Sequence, residues 1–254
     1  MVGLLFLLGA LVAAILWLEL SPVEQRYAPN AEIQKISIKR DGHDTIVLDK
    51  NAGVWTLTAP FKLNANAVRI EPLLTLIPGN ETGYSPAEVD MAATGLLDST
   101  TSITLNNETI KLGKPGTDGD RRYALINEQV FLLPEWVWSL VHGGVTAFAD
   151  LTVFTDLPDT LYLHPNDGFD NPRIYPVSAR AWRNLQADKI IPKPKMTQPS
   201  SYSFLTRFHV STSESDNAQA VIADVARHQK YSVIWTQGKF AYVISHEKLD
   251  ELMQ

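Results

Sequence analysis

Four places in this sequence carry residue types able to do chemistry. Asp118-Gly119-Asp120-Arg121-Arg122 sets two carboxylates and two guanidiniums around a glycine. The carboxylates suit a hard cation such as Ca²⁺ and the guanidiniums an anion clamp, but the remaining ligands and closing Glu of an EF-hand are missing. A solvated turn is the plainer reading. His164, Asn166, Asp167 and Asp170 are a second set able to ligate a metal. Asn and Asp in Pro- and Gly-containing surroundings usually bond their own backbone, so this set reads first as a loop. The third place is the histidines, at 43, 142, 164, 209, 228 and 246. No two stand four apart as metal ligands on a helix would, there is no HExxH, and His209 alternates within a strand as a structural residue.

The fourth place is electrostatic. Between Asn171 and Lys195, the cations Arg173, Arg180, Arg183, Lys189, Lys193 and Lys195 stand against Asp188 alone, in a chain of net charge −6. Pro192-Lys193-Pro194-Lys195 favours an extended, solvent-facing backbone. The stretch reads either as a solvated linker or as a contact for anionic headgroups or an acidic partner. Elsewhere no nucleophile elbow, dinucleotide fingerprint or phosphate-binding loop occurs, and paired carboxylates of the glycosidase kind leave no sequence spacing to find. No catalytic, cofactor-binding or metal-ligating residue is assigned, and no cofactor is expected. Trp55, Trp136, Trp138, Trp182 and Trp235 could stack on a glycan or small ligand, although burial is the default for such rings.

The elements that must position these residues are short. Ile33, Ile36 and Ile38 lead into the Arg40-Asp41-Gly42 turn, Thr45 to Leu48 follows, and Val54 to Thr58 is a third strand after Asn51-Ala52-Gly53. Trp55 and Leu57 share the core face of that meander. Asn64 to Ile77 has helical spacing at Ala67, Ile70, Leu73, Leu74 and Ile77, but Pro72 predicts a kink or a start delayed to Glu71. Hairpins are predicted for 101–105 with 109–112 across Asn106-Asn107, and for 123–126 with 130–133 across Asn127-Glu128. Pro134 and Glu135 then open a helix that Gly143-Gly144 closes. Beyond Asp150, Phe154 to Leu163 and Ser203 to Ser211 read as strands. Ser213 with Asp216 opens a helix whose apolar face is Ala218, Val221, Ile222 and Val225. A hairpin at 231–244 and a helix from His246 to Met253 end the chain. The helix–strand–strand–helix order echoes the one around Asn64 to Val141 and raises the question of an internal repeat.

Composition sets the class. Hydrophobic residues at 45% and charged residues at 20% describe a globular body. The negative net charge argues against nucleic-acid partners. The absence of Cys removes disulfides and thiolate sites. All of this is preceded by Val2 to Leu18, an unbroken apolar run whose helical length of about 26 Å is at the short end of a bilayer crossing. No Lys or Arg precedes it, and a signal-type cut after Ala14 would leave a greasy terminus, so the run is expected to be a retained anchor. Gly9 and Ala13, and Ala10 and Ala14, gather small residues on one side of that helix, where another spanning helix could approach closely. The charges after the run, Arg26, Lys35, Lys39 and Arg40, lean weakly towards a cytosolic body.

Gly53-x-Trp55-x-Leu57-x-x-Pro60, an Ala/Asn-rich helix start, Thr94-Gly95-Leu96, Ile110-x-Leu112-Gly113 and Arg122-Tyr123-Ala124 occur in a recurring order. That order resembles the bacterial membrane-anchored family of domain of unknown function 4340, over roughly residues 31 to 150. Here Leu97-Asp98-Ser99 departs from the Asp/Asn-Pro that usually follows the family's Gly-Leu step. The resemblance implies an inner-membrane anchor and an α+β body outside the cytoplasmic membrane, some relatives being associated with auxiliary parts of transport and gliding machinery. It brings no catalytic residues. The expected organisation is an anchor (1–20), a tether (21–32) and two α+β modules (31–150 and 151–254) of antiparallel hairpins with packed helices. The expected role is a non-catalytic accessory or scaffolding subunit with an integral membrane partner. A periplasmic binding module for a glycan or small ligand is the alternative, and a hydrolase-type enzyme the third reading.

Overall fold

The computed structural model describes residues 32–78, 82–154, 160–165, 175–194, 202–211, 221–235 and 238–252. The apolar run, its small face at Gly9, Ala10, Ala13 and Ala14, and the tether lie outside the described residues. Among those that are described, no helix is long and apolar enough to cross a membrane. The fold is α+β, built on two antiparallel sheets.

The first sheet holds β1 (Lys35–Lys39), β2 (Ile46–Asn51), β3 (Val54–Ala59), β4 (Leu63–Asn64), β5 (Ser102–Leu105), β6 (Glu108–Pro115), β7 (Arg121–Ile126) and β8 (Gln129–Pro134), in the order β4-β3-β2-β1-β5-β6-β7-β8. Alternation decides its faces. Ile36, Ile38, Ile46, Leu48, Trp55, Leu57, Ile103, Leu105, Ile110 and Leu112 are buried on one side. The other side is polar, with Thr104 and Thr109 hydroxyls 3.1 Å apart and Thr58 donating to Asp49 at 2.6 Å. The hairpins turn where the sequence predicts, because Asn106 (φ 51°), Asn127 (φ 48°) and Glu128 (φ 62°) adopt the positive φ such tight turns require.

Helices cover the apolar face. α1 (Ala67–Ile70) is a single turn, followed by a 3₁₀ segment at Glu71–Thr75. Pro72 cannot donate to a continuing α-helix, and the tighter winding moves the buried set to Ile70, Leu73 and Leu76, three apart, leaving Ala67 exposed. Asn66 stands at the cap position but makes no capping bond through its side chain. α2 (Trp136–His142) buries Val137 and Val141, and α3 (Gly144–Phe148) continues after it, where the sequence predicts only a stop. Gly113 is required by a close approach: a Cβ there would lie 2.4 Å from the Thr94 carbonyl oxygen.

The second sheet contains β9 (Thr160–Pro165), β10 (Tyr175–Ser178), β11 (Lys189–Pro192), β12 (Tyr202–Ser211), β13 (Val221–His228), β14 (Ser232–Trp235) and β15 (Phe240–Ile244), ordered β10-β9-β12-β13-β14-β15-β11. α4 (Ala179–Arg183) and α5 (His246–Leu252) accompany it. Two expectations fail here. Val221, Ile222 and Val225 belong to a strand paired on both sides, not to a helix, and the helix–strand–strand–helix echo of the first half goes with it. Their spacing fits both periods, and β-branched residues flanked by two strand partners settle it for the sheet. Ser213, Asp216 and Ala218 lie outside the described residues. His164, read as part of a loop, is in β9, in register with His209 of β12.

Both faces of β13, β14 and β15 carry buried apolar residues. Ala223, Val225, Ile234, Tyr242 and Ile244 join the core of the first sheet, together with Trp182, Leu185 and Ile190. Ala226, Val233, Trp235, Ala241 and Val243 form a smaller cluster. Contacts tie the halves: Phe61 and Phe240 rings lie 5.7 Å apart, and the Ile190 amide donates to Thr146 Oγ1 at 3.1 Å.

Candidate functional site

The residues that sequence reading singles out are dispersed and mostly engaged. Asp118 and Arg121 pair at 2.8 Å across the β6–β7 turn, and the Arg121 guanidinium holds the Asp118 carboxyl below the usual carboxylate range. Arg122 points inward instead. It donates to Glu135 through Nε (3.0 Å) and Nη2 (2.7 Å), and through Nη1 to the Gly113 carbonyl at 2.5 Å. Its guanidinium lies 3.8 Å from the Trp138 ring centre, and Trp138 stacks on His142. Each nitrogen of that guanidinium is used, so Arg122 is a structural clamp and not an anion site.

The basic stretch is not a linker between 175 and 192, where it supplies a strand, a helix and an edge strand. Arg180 and Arg183 fall in α4. Lys189 and Lys193 lie on or beside β11, their ammonium groups 5.4 Å from the Tyr231 ring and 5.7 Å from the Trp235 ring. Arg173 and Lys195, and likewise Asn166, Asp167 and Asp170, lie outside the described residues. Among the described residues no three His, Asp or Glu converge as metal ligands. His43 bonds the Asp41 carbonyl, His228 stacks on Tyr231, and His246 shares a hydrogen bond with Ser232 at 2.8 Å.

One surface is left without partners within the described chain. Val137 and Val141 face the core from α2, Leu140 packs at the core's edge, and Trp136 at the start of the helix stands outside it. Trp136 is 42% exposed. Across from it on α1 stands Val68, 75% exposed. Between them runs a groove of about 760 Å³, with Leu140, Ala147 and Leu151 among its lining and Arg69 as its sole charge. Trp136 also borders a neighbouring hollow of about 500 Å³ that follows β8 to Tyr84, itself 59% exposed. Tyr84 is held there by a two-way backbone bridge to Val130, both bonds 2.9 Å. Among the described residues, the charged one lining that second hollow is Arg121. Among the described lining residues of this aromatic-edged furrow the charged ones are Arg69 and Arg121, and Arg121 is already paired with Asp118.

No family model, curated protein or solved structure matches this chain. The furrow therefore has to be read from its own chemistry. Two signals for it were present in the sequence: Val68 is an apolar residue off the buried stripe of its helix, and Trp136 and Trp138, two apart on one helix, cannot both face the core. Trp55, Trp182 and Trp235 are buried and offer no stacking face to a ligand.

Proposed function

We propose that the chain is a non-catalytic, membrane-anchored accessory subunit, held by residues 2–20 with its body outside the cytoplasmic membrane, and that the Trp136 furrow is where an integral membrane partner docks. The observation that carries this reading is the run of exposed Val68, Trp136 and Tyr84 along one continuous furrow. Exposed aromatics flanking a depression are the anchors of protein interfaces, and a sugar site would instead converge polar groups beside a stacking ring. Charge complementarity names the occupant: an apolar segment of the partner carrying Asp or Glu opposite Arg69. The resemblance to the membrane-anchored family of domain of unknown function 4340, and the small face of Gly9, Ala10, Ala13 and Ala14, support the same assignment from the other end of the chain.

Two measurements test it. A C-terminal alkaline phosphatase fusion is expected to be active and a fluorescent cytosolic reporter in its place dark; the reverse pattern refutes the orientation. In mild-detergent purification of the tagged protein, Trp136→Ser with Val68→Ser is expected to lower partner recovery about tenfold or more, since interface tryptophans contribute 2 kcal/mol or above. Membrane retention and melting temperature should hold, because neither side chain is in the core. Full recovery of the partner would remove the furrow from the interface.

A further inference from the structure

A second depression lies where the two sheets meet, and no residue in it was marked by any motif. Its walls come from three separated stretches. Thr56, Lys62 and Asn64 stand on or beside β3 and β4, Asp150 and Thr152 on the segment leaving the first sheet, and Tyr242 on β15. The space they enclose is about 350 Å³, at the small end of ligand pockets.

The polar groups are arranged, not scattered. Asp150 Oδ1 accepts from the Thr152 amide (2.9 Å) and hydroxyl (2.7 Å), and Gln186 Nε2 donates in turn to that hydroxyl at 2.8 Å. This fixes the carboxylate and leaves Oδ2 without a protein donor among the described residues. The Tyr242 ring belongs to the core, edge-on to Phe240 with centroids 5.3 Å apart, and its side chain borders the depression. Burial, and then the Asp150 charge, push that phenol above its usual pKa, so it remains a protonated donor. Lys62 is exposed, lines the same space and has no ion-pair partner among the described residues. A cation and a carboxylate thus line one small space without pairing with each other.

We propose that this depression binds a small zwitterion of amino-acid or dipeptide size, its ammonium on Asp150 Oδ2 and its carboxylate on Lys62 Nζ. A purely anionic ligand meets the Asp150 charge, and a purely cationic one meets Lys62. A neutral sugar leaves both charges without a counter-charge. A zwitterion satisfies both charges at once through charge-assisted bonds, with Tyr242 and Asn64 completing the lining. Because the walls belong to both sheets, the occupied site also ties them together, so the ligand raises the melting temperature by mass action.

The test is calorimetric titration of the full-length protein with the free proteinogenic amino acids and with glycylglycine. At least one is expected to bind saturably, and its N-acetyl and methyl-ester forms to bind at least about tenfold more weakly, as the loss of one charge-assisted contact requires. Asp150→Asn keeps the Oδ1 acceptor for Thr152, and Lys62→Gln removes a side chain without a partner. Each is expected to weaken binding by a similar factor while the ligand-free melting temperature stays in place. Absence of binding by every probe overturns the proposal. So does a blocked form that binds as well as its parent, a result that needs no variant to fold.

Discussion

Arg122→Ala is expected to lower the unfolding free energy by about 3 kcal/mol, the low end of what breaking a buried ion pair costs. The side chain of Arg122 is only 7% exposed, against 30% for Glu135, so truncation strands a half-buried carboxylate and the Gly113 carbonyl together. It also takes the cation from the Trp138 face, 3.8 Å away. The pair occupies the core side of β7, in line with Ala124 and Ile126, and it closes the apolar row at the end of the strand. Replacing both partners, Arg122→Met with Glu135→Met, should recover much of the loss, because no uncompensated charge remains. Denaturant titration followed by tryptophan fluorescence measures both. A single-variant loss under about 1 kcal/mol would mean that water reaches Glu135 freely and that the clamp is an ordinary surface pair.

The largest effect is expected at Trp182→Ala, about 3–5 kcal/mol, the usual cost of deleting a buried large aromatic side chain. Trp182 is 1% exposed, tilted against Phe154 at 5.8 Å, and belongs to the core cluster shared by both sheets. That sharing makes a stronger claim than the magnitude. If the core is continuous, the substitution moves a single transition for the whole body, although the residue lies in the later half of the chain. Hydrogen exchange with peptide resolution decides the point. Protection of Ile36, Leu48 and Ile103 that is untouched by the substitution would show two independently stable halves.

The first sheet was legible because its signals are local. Alternation in 35–39 and 54–58 sets the buried face, and Asn106 and Asn127 mark turns whose backbone few other residues tolerate. Legibility fails where two periods fit one run. Val221, Ile222 and Val225 satisfy helical spacing, and only the partners β12 and β14 make them a strand. It fails again at Pro72, which announces a break but not the change of winding that re-selects Leu76 for burial. In the basic stretch, charge excess did not reveal secondary structure: β11 is an edge strand, with Lys189 near the Tyr231 ring and Lys193, just beyond it, near the Trp235 ring. The polar depression was invisible. Lys62, Asp150 and Tyr242 meet only after both sheets have formed, and no spacing in a sequence encodes such a meeting.

The strand order has a kinetic consequence. Within the first sheet each pairing joins neighbours in sequence except one, β1 with β5, where Ser37 stands opposite Thr104. The chain can therefore assemble β1–β4 and β5–β8 as two local meanders, each needing only short loops to close. Joining them requires the whole stretch from Ala65 to Thr101 to be drawn together, and the closure entropy must be met before the contacts form. The seam formed by Ile36, Ile38, Ile103 and Leu105 thus carries the largest loop-closure cost in the first sheet.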